Sequence, residues 1–488
     1  MRLSAAIHAL RKKGFAVTVD EKKENVKDPV VSEVFSDSRK ILPGSIFCCI
    51  RGERSDGHEY ASAAEAAGAV ALVCEVPVKS NLPVLLVEST RAIMGDLASC
   101  IYGEPASRLM MVGVTGTNGK STTTYILRRI LQAAGQRTGL LGTIIESDGL
   151  RERDAERTTS ESCDIQRQLA NMVKNGCTAC VMEASSHGLQ LGRLAGSLFD
   201  IAVFTNLNPE HLDFHKDMEN YFQAKRLLLS LYMKENGVAA INKDDSYGVR
   251  LLQEFKGSRG FGMADVADAQ LDMEGSRFTI KARGKPPLKL TSPLVGDFNV
   301  YNVLAAVTAL RERLDDAVIA EGVSDIPQVP GRLEKHMMPN GVCCIIDFAH
   351  TPEALRNVLT AVRAFCRGKL ISIFGHGGGR YQSNRPALGT VAASLADLVL
   401  VTMDNPRDED PALIAEDIVQ GIEKQSEKTK YQVILDRKEA IFTALSVAGP
   451  GDVLVISGKG PEKFLTIKDK KIPYNDAETV EEWKKLAK

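Results

Sequence analysis

The residues best suited to chemistry form a glycine-rich segment, GTNGKS, at positions 116–121. Backbone N–H groups of such a turn and the first turn of a following helix surround an anion. Lys120 would reach the terminal phosphates of a nucleotide, and the Ser121 hydroxyl would bind Mg²⁺. The strict nucleotide-loop pattern has glycine where this chain has Val114, so the loop is a variant. It predicts ATP binding through Thr115, Gly116, Thr117, Asn118, Gly119, Lys120, Ser121 and Thr122.

The elements around this segment are those that a phosphate loop needs. An apolar run at residues 109–114 precedes it, and the helix-like stretch TTTYILRRILQAAG follows it. Further apolar strand-like runs alternate with helical segments along the whole chain, which predicts parallel sheets. We predict an α/β protein of three domains. These are a small N-terminal α/β domain (1–105), a central P-loop parallel-sheet ATPase domain (106–332) and a C-terminal Rossmann-like domain (333–488), with linkers at 103–105 and 327–331.

Composition narrows the class of protein. Hydrophobic residues make up 44% of the chain, charged residues 25%, and the formal net charge is −1, which argues against a nucleic-acid partner. No apolar run approaches the roughly 20 residues of a membrane span, and the N-terminal residues read as a short amphipathic helix. The ten cysteines lack framework spacing, which favours a reducing cytoplasm. Cys177 and Cys180 form an isolated C-x-x-C that fits buried structural residues better than a metal site.

Ionisable residues follow two further strand-like runs in the central region. Glu183 ends the run TACVME, and the carboxyl ends of parallel strands face the ligand crevice, so it is a candidate Mg²⁺ ligand. A solvated loop carboxylate is the alternative. His211, Asp213 and His215 alternate after the next run, as in ligand-bearing loops. Lys225 lies in an apolar-flanked helical segment, where a surface lysine is equally compatible with the sequence.

Polar clusters also follow strand-like runs later in the chain. Asn302 precedes a predicted helix at 303–310, and the side-chain amides at this point suit hydrogen bonds to a purine edge. The alternative is that Asn299 simply caps the helix. In the glycine-rich segment ending at Arg380, the glycines let the backbone approach a ligand closely. Arg380 itself could bind an anion. The tetrad Asp404-Asn405-Pro406-Arg407 suits a zwitterionic amino acid, with the carboxylate on Arg407 and the ammonium on Asp404. A simple turn explains the Asn-Pro pair alone.

Taken together, the segments SDSRKILPGSIFCCIRG, VTGTNGKSTTT, MEASSHGL, FTNLNPEHLDFH, YFQAK, GDFNVYN, PGRLE, DFAHTPEAL, DNPRDEDP and GKGPE resemble the Mur ligase family. That resemblance implies an ATP- and Mg²⁺-dependent amide ligase of cytoplasmic peptidoglycan precursor synthesis. DNPR is similar to the members that add meso-2,6-diaminopimelate to the D-Glu γ-carboxylate of UDP-N-acetylmuramoyl-L-alanyl-D-glutamate through an acyl-phosphate. We expect a monomer with hinges near residues 105 and 332.

The resemblance also implies roles for individual residues. Catalytic roles fall to Lys120, Glu183, His211 and Lys225, with Ser121, Glu183, His211 and Lys225 as metal ligands and Lys225 carbamylated (N6-carboxylysine). Adenosine-side contacts are implied for Asn302, Arg332, Asp347 and His350. Positions that hold the UDP-linked substrate are Ser38, His58, Thr158, Thr159, Ser185 and Arg193. The incoming amino acid would meet Arg380, Asp404, Asn405, Pro406, Arg407, Gly458 and Glu462.

Several positions depart from the family pattern, and they bear on the amino acid rather than on the reaction type. Where the family has a GCGGDRD-like segment, this chain has GHGGGRYQ. It likewise has GKGPE in place of GKGHE, TTSE in place of TTPE, and Leu191 where glutamine is common. One alternative is the same ligation with L-lysine, L-ornithine or another diamino acid. A second is glutamate addition to folate, although residues 30–100 fit a uridine-nucleotide domain. A third is a nucleotide-binding regulator without turnover. The joint presence of Lys120, Ser121, Glu183, His211 and Lys225 argues against it.

Overall fold

The computed structural model describes residues 1–19, 28–52, 55–281, 284–425 and 429–487. Its α-helices are α1 (Leu3–Lys12), α2 (Ala61–Ala66), α3 (Thr90–Ile101), α4 (Lys120–Ala133), α5 (Ser162–Lys174), α6 (Ser186–Gln190), α7 (Leu212–His215), α8 (Met218–Ser230), α9 (Ser246–Glu254), α10 (Asp297–Leu310), α11 (Asp316–Ser324), α12 (Pro352–Arg363), α13 (Asn384–Leu395), α14 (Pro411–Gln425), α15 (Arg437–Val447) and α16 (Asp476–Leu486). Short 3₁₀ helices lie at Ser38–Lys40, Gly57–Tyr60, Pro105–Arg108 and Met263–Asp265.

The strands are β1 (Thr18–Val19), β2 (Glu33–Phe35), β3 (Ser45–Cys48), β4 (Ala69–Cys74), β5 (Val84–Leu86), β6 (Met110–Thr115), β7 (Thr138–Leu141), β8 (Ile145–Ser147), β9 (Glu152–Asp154), β10 (Ala179–Glu183), β11 (Phe199–Phe204), β12 (Met233–Asn242), β13 (Arg259–Phe261), β14 (Val266–Asp272), β15 (Gly275–Ile280), β16 (Leu288–Ser292), β17 (Glu334–Met337), β18 (Cys343–Asp347), β19 (Leu370–Phe374), β20 (Leu398–Val401), β21 (Lys430–Val433), β22 (Val453–Ser457), β23 (Phe464–Ile467) and β24 (Lys470–Pro473).

The chain forms two compact units. One comprises Met1–Ala267, Thr279–Leu290 and Tyr301–Asp325, and the other Asp268–Phe278, Thr291–Val300 and Ile326–Lys488. The domain limits drawn from the sequence stay a prediction. No helix in the described ranges is long and apolar enough to cross a membrane.

The first unit holds two sheets. In the N-terminal part the strand order is β1-β5-β4-β3-β2, and α1 buries Leu3, Ala6, Ile7 and Leu10 against it on one helical face, as its amphipathic sequence predicts. The central sheet has the order β13-β12-β11-β6-β10-β7-β8-β9, with parallel pairing from β13 to β7. Its inner strands are buried on both faces, which explains their continuous apolar sequence.

Register in the central sheet assembles the site. Glu183 on β10 lies opposite Val114 on β6, and Phe204 on β11 lies opposite Thr115. The three strands therefore end at one edge of the sheet. The phosphate loop and the loops that follow β10 and β11 meet there, as expected for a parallel α/β sheet.

The second unit contains a sheet of order β17-β18-β22-β19-β20-β21, parallel except for β17. Asp347 at the end of β18 lies opposite Ser457 at the end of β22. The loops after β18, β19, β20 and β22 carry the predicted nucleotide and amino-acid residues, so they share the carboxyl edge of this sheet. A hairpin of β23 and β24 follows β22.

The C-terminal helix α16 is tied to β17 by a histidine. His336 Nε2 lies 3.0 Å from Glu334 Oε1, and its Nδ1 lies 3.2 Å from Glu481 Oε1. Burial alone would lower the pKa of His336, but the hydrogen bonds to Glu334 and Glu481 outweigh it and raise the pKa. The imidazolium therefore stabilises the fold. That contribution is fully present below about pH 6.5, the unfolded value, and is lost as pH rises through the higher folded pKa.

We predict that the second unit loses stability as pH rises above about 6.5, and that His336→Gln removes this dependence. The effect is at most about 1 kcal/mol for each ion pair, since Glu481 is partly exposed. Trp483, the single tryptophan of the chain, lies on α16 and packs against the core, so its fluorescence during urea unfolding reports this unit. His8→Gln, at an exposed position of α1, is the control. A steeper pH dependence in His336→Gln than in the parent would contradict the sign.

Candidate active site

The phosphate loop adopts the geometry that its sequence predicts. Gly116 and Gly119 have φ values of +148° and +84°, and a Cβ on Gly119 would lie 2.3 Å from Asn302 Oδ1. Glycine is required at residue 119 on both counts. Lys120 begins α4, and its Nζ donates to the carbonyls of Gly116 (3.0 Å) and Thr117 (2.8 Å). The ammonium is thus held over the loop where a phosphate would lie.

The loop after β11 is hydrogen-bonded to the phosphate loop. Thr117 N donates to Asn206 O (2.9 Å), and Asn118 N donates to the Asn206 side chain (2.9 Å). Thr205 Oγ1 donates to Asn118 O at 2.6 Å. These bonds use polar groups on both segments, so the conformation of residues 116–119 is fixed by its neighbour as well as by its own glycines.

Lys225 is a buried residue and not a surface lysine. It lies on α8, is 1% exposed, and its Nζ donates to Gly116 O at 2.7 Å, the carbonyl that also accepts from Lys120. The ring of Tyr221 lies 4.6 Å from its ammonium. Burial lowers the pKa of Lys225 well below its usual value, and the charge of Lys120 lowers it further. Burial and the neighbouring cation therefore both favour the neutral, nucleophilic form of this amine.

Aromatic and histidine rings pack beside this lysine. His211, in left-handed conformation (φ +56°), immediately precedes α7, and its ring centroid lies 4.9 Å from that of His187. Burial lowers the pKa of His211 and of His215 to about 4 each. Both rings are neutral at pH 7, which is the protonation state of a metal ligand. His215 Nε2 is buried and lacks a hydrogen-bond partner within the described part of the chain.

Glu183 is a buried carboxylate and not a solvated one. It is 1% exposed, Thr143 N donates to its Oε1 (2.8 Å), and Thr143 Oγ1 lies 2.9 Å from its Oε2. The same Thr143 hydroxyl lies 3.0 Å from that of Thr158. Glu183 is thereby connected to a segment predicted to hold the muramoyl dipeptide.

Four of the six residues predicted for the UDP-linked substrate converge around Glu183. Thr159 Oγ1 donates to Glu183 O (2.9 Å) and accepts from Ser185 N (3.0 Å). Arg193 Nη1 donates to Thr159 O at 3.1 Å. With Thr158, these residues form one connected polar cluster at the end of β10. Arg193 also pairs with Glu161 at 3.0 Å, a carboxylate that the sequence patterns did not indicate.

Ser38 and His58 lie in the N-terminal part, each on a 3₁₀ helix capped by an aspartate. His58 Nδ1 lies 2.5 Å from Asp56 Oδ1, and its Nε2 accepts from Glu75 N at 3.0 Å. Both ring nitrogens therefore have partners within the protein. These contacts hold the His58 ring in its loop, and its role in binding the UDP-linked substrate stays a prediction.

Ser160, where the family pattern has proline, is linked to Glu146. Its hydroxyl donates to Glu146 Oε1 at 3.1 Å, while Arg153 donates to Glu146 Oε2. A proline would restrict the backbone at this position. Here the hydrogen bond from Ser160 to the buried Glu146 carboxylate restricts it instead. The segment carrying Thr158 and Thr159 remains anchored despite the departure.

The expected helix after Asn302 begins earlier than its sequence indicates. α10 starts at Asp297, so Asn299 lies inside its first turn and donates from Nδ2 to Val295 O (2.8 Å). The hypothesis that Asn299 caps a helix starting at residue 303 is wrong, because the helix already includes Asn299. Its first turn is polar, and a helix tolerates polar residues there. Asn302 Oδ1 accepts from Thr123 Oγ1 at 3.3 Å, which places Asn302 against α4 and the phosphate loop.

Asp347 organises the predicted adenosine side within the second unit. Its two oxygens accept from Leu333 N and Ala349 N, each at 2.8 Å. Burial raises the pKa of Asp347. Arg332 stacks on Phe348, 4.8 Å from the ring centroid, and exposed His350 lies 2.9 Å through Nδ1 from Phe348 O. Asp347 therefore positions the segments that carry Arg332 and His350.

The predicted amino-acid residues form a second cluster in this unit. Asp404 and Asn405 are buried, and Gly458 lies so close that a Cβ on it would be 2.7 Å from Asp404 Oδ2. Asn405 Nδ2 donates to Glu462 Oε2 at 2.8 Å. Arg407 has φ +52°, a strained value for a side chain of this size.

Arg407 faces the glycine-rich loop after β19. It donates from Nη1 to Gly378 O, and a Cβ on Gly377 would lie 2.9 Å from that Nη1. Burial lowers the pKa of Arg407, as does the positive charge of Arg380. Arg380 is exposed, and buried Pro406 precedes the strained residue. Two guanidinium groups that repel each other across a glycine loop suit a carboxylate guest.

The sequence patterns missed several supporting residues. Thr143 and Thr205 gave no signal beyond their types, because their importance comes from register. Tyr221 and His187 lie in quoted segments, but only packing shows that they surround Lys225 and His211. Lys459, adjacent to Gly458 in the GKGPE segment, is fully buried. A lysine between glycines could have been noticed as unusual.

The chain matches three family models in order along its length. They are the Mur ligase family catalytic domain at residues 30–102, the Mur ligase middle domain at 114–310 and the Mur ligase glutamate ligase domain at 331–460. This protein belongs to the Mur ligase family. The family recognised from the sequence segments and the predicted α/β fold class are thereby confirmed.

Two relatives that align over nearly the whole chain carry the same name. A protein from Gloeobacter violaceus is 43% identical over 94% of this chain and 94% of its own, and one from Clostridium botulinum is 39% identical over 94% and 96%. Both are named UDP-N-acetylmuramoyl-L-alanyl-D-glutamate–2,6-diaminopimelate ligase. A solved structure of a ligase of that name matches with TM-score 0.66 and 29% identity, covering 96% of this chain and 98% of the other.

Proposed function

We propose that this protein is an ATP-dependent ligase that joins meso-2,6-diaminopimelate to the D-Glu γ-carboxylate of UDP-N-acetylmuramoyl-L-alanyl-D-glutamate. The observation that carries this proposal is the shared activity in the names of relatives aligned over nearly the whole chain. The polar groups within each of the two clusters, each considered in its own unit, support it. We further propose that the enzyme acts as a monomer in the cytoplasm, where these substrates are made.

The reaction proceeds in two steps. The D-Glu γ-carboxylate attacks the γ-phosphorus of ATP, releasing ADP and forming an acyl-phosphate. The amine of diaminopimelate then attacks the acyl carbon, loses a proton, and phosphate leaves as the amide forms. Lys120, whose Nζ is hydrogen-bonded to Gly116 O of the phosphate loop, would offset charge on the transferring phosphoryl group. Thr159, Ser185 and Arg193 would hold the dipeptide beside it.

The donor set near the phosphate loop fits Mg²⁺. Glu183 and Ser121 offer oxygens and His211 a neutral imidazole. Among the described residues, His, Cys, Asp and Glu alone do not form a group of three that could hold a metal. A carbamate on Lys225 would supply the missing oxygens, and its neutral amine is the form that reacts with CO₂. When bound, Mg²⁺ would neutralise phosphate charge.

The test is phosphate release with UDP-N-acetylmuramoyl-L-alanyl-D-glutamate, ATP and Mg²⁺, offered meso-diaminopimelate, L-lysine or L-ornithine in parallel. We expect turnover with diaminopimelate and at least tenfold less with the others, because a distal carboxylate adds charge-assisted bonds. Preference for lysine would show that the GHGGGRYQ and GKGPE segments reshape the pocket. Absence of release with all three acceptors would contradict the proposed reaction.

A further inference from the structure

Lys459 is a fully buried cation beside the predicted amino-acid cluster. It follows β22 within the segment Gly458-Lys459-Gly460, and its side chain is 0% exposed. Lysine is almost never fully buried unless its charge is compensated, because desolvating an ammonium is costly. The surroundings of this side chain therefore need explanation.

Three oxygens receive its ammonium. Lys459 Nζ donates to Phe464 O at 2.7 Å, to Glu462 Oε2 at 2.9 Å and to Asn405 Oδ1 at 3.2 Å. An ammonium has three N–H groups and no acceptor, so the geometry uses every donor. Two of the three acceptors belong to residues predicted to bind the incoming amino acid.

These bonds decide how the Asn405 amide is turned. Its Oδ1 also accepts from Thr466 N at 2.8 Å, and both Lys459 and that backbone group can only donate. The oxygen must therefore face them. Nδ2 is left to donate to Glu462 Oε2 at 2.8 Å, so Glu462 is held through one carboxylate oxygen while its side chain stays 40% exposed.

We infer that Lys459 is a positioning residue for the incoming amino acid. It fixes the orientation of the Asn405 amide and of the Glu462 carboxylate without contacting the guest itself. This inference rests on the proposed function, because it assumes that Asn405 and Glu462 receive the amino acid. A purely structural lysine, which only ties the hairpin of β23 and β24 through Phe464 O, is the competing account.

The test compares Lys459→Met with the parent enzyme in steady-state kinetics. Loss of the ammonium leaves Asn405 Oδ1 with Thr466 N and leaves Glu462 Oε2 with Asn405 Nδ2 as donors. Both side chains are then held less firmly, so we expect the KM for diaminopimelate to rise about tenfold or more. The KM values for ATP and for the UDP-linked dipeptide should stay within twofold. Leu445→Ala in the core of α15 is the matched control, since it loses stability without touching Asn405 or Glu462.

A double-mutant cycle separates positioning from stability. If Lys459 acts through Glu462, Lys459→Met should raise the KM for diaminopimelate much less in a Glu462→Gln background than in the parent. Additive effects, or an unchanged KM with a lowered melting temperature, would overturn the inference. Should Lys459→Met not fold, Lys459→Arg keeps the buried charge with a different donor geometry, and the same KM shift is expected. Failure of the parent enzyme to use diaminopimelate would instead contradict the proposed function.

Discussion

Replacement of Lys225 by alanine is expected to reduce phosphate release roughly 100- to 1,000-fold, the usual cost of losing a group that stabilises transition-state charge. Lys225 is buried, and its amine shares the Gly116 carbonyl with Lys120. Burial and the charge of Lys120 both disfavour an ammonium at Lys225. A carbamate there would place a negative charge beside Lys120 and provide oxygens for a metal. Affinity for ATP should persist in the variant, because Lys120 and the loop N–H groups remain.

The chemical form of Lys225 can be measured separately from activity. In CO₂-depleted buffer the parent enzyme should lose activity and regain it on addition of bicarbonate, whereas Lys225→Ala should not respond. With ¹³C-bicarbonate, a carbamate signal should appear in the NMR spectrum of the parent and be absent from Lys225→Ala. Lys174→Ala, at an exposed position at the end of α5, is the control. A fully active Lys225→Ala variant would refute both the modification and the role.

The sequence predicts where along the chain most site residues lie. It predicts little about which residues pack around them. Residue order alone places Glu183 at the end of a strand, because apolar runs and glycine turns are local signals. Whether it is buried depends on Thr143, which lies 40 residues away in the chain and meets Glu183 only through sheet register. Lys225 poses the same problem: an apolar-flanked lysine on a helix is ambiguous until the packed partner is known.

Hydrogen-bond partners change the interpretation of some residues that the family resemblance indicates. His58 fits a ligand-binding position by sequence, yet both its ring nitrogens are engaged by Asp56 and Glu75. The helix that contains Asn302 starts six residues before the predicted position, at Asp297, because its first turn is polar enough to be taken for a loop. Local sequence patterns cannot show which polar groups already have hydrogen-bond partners within the protein. Those partners decide whether a side chain is available to a ligand or holds its neighbours in place.

Arg407 should decide which amino acid the enzyme accepts. Meso-diaminopimelate differs from lysine by a distal carboxylate, and Arg407 lies with Arg380 beside the glycine loop after β19. We predict that Arg407→Asn lowers kcat/KM for diaminopimelate roughly 100-fold, since a charge-assisted hydrogen bond contributes about 1.5–3 kcal/mol. Turnover with L-lysine, which lacks the second carboxylate, should change little.

Asparagine is the informative substitution because residue 407 has φ +52°. Asparagine tolerates the left-handed region better than most residues, so the variant removes the guanidinium without adding backbone strain. Arg407→Lys tests geometry, since it keeps the charge but not the planar fork, and should recover only part of the loss. Arg356→Gln, exposed on α12, controls for loss of an arginine. Equal losses with diaminopimelate and lysine would show instead that Arg407 acts by holding Gly378 O, and that discrimination between the two amino acids lies elsewhere in the pocket.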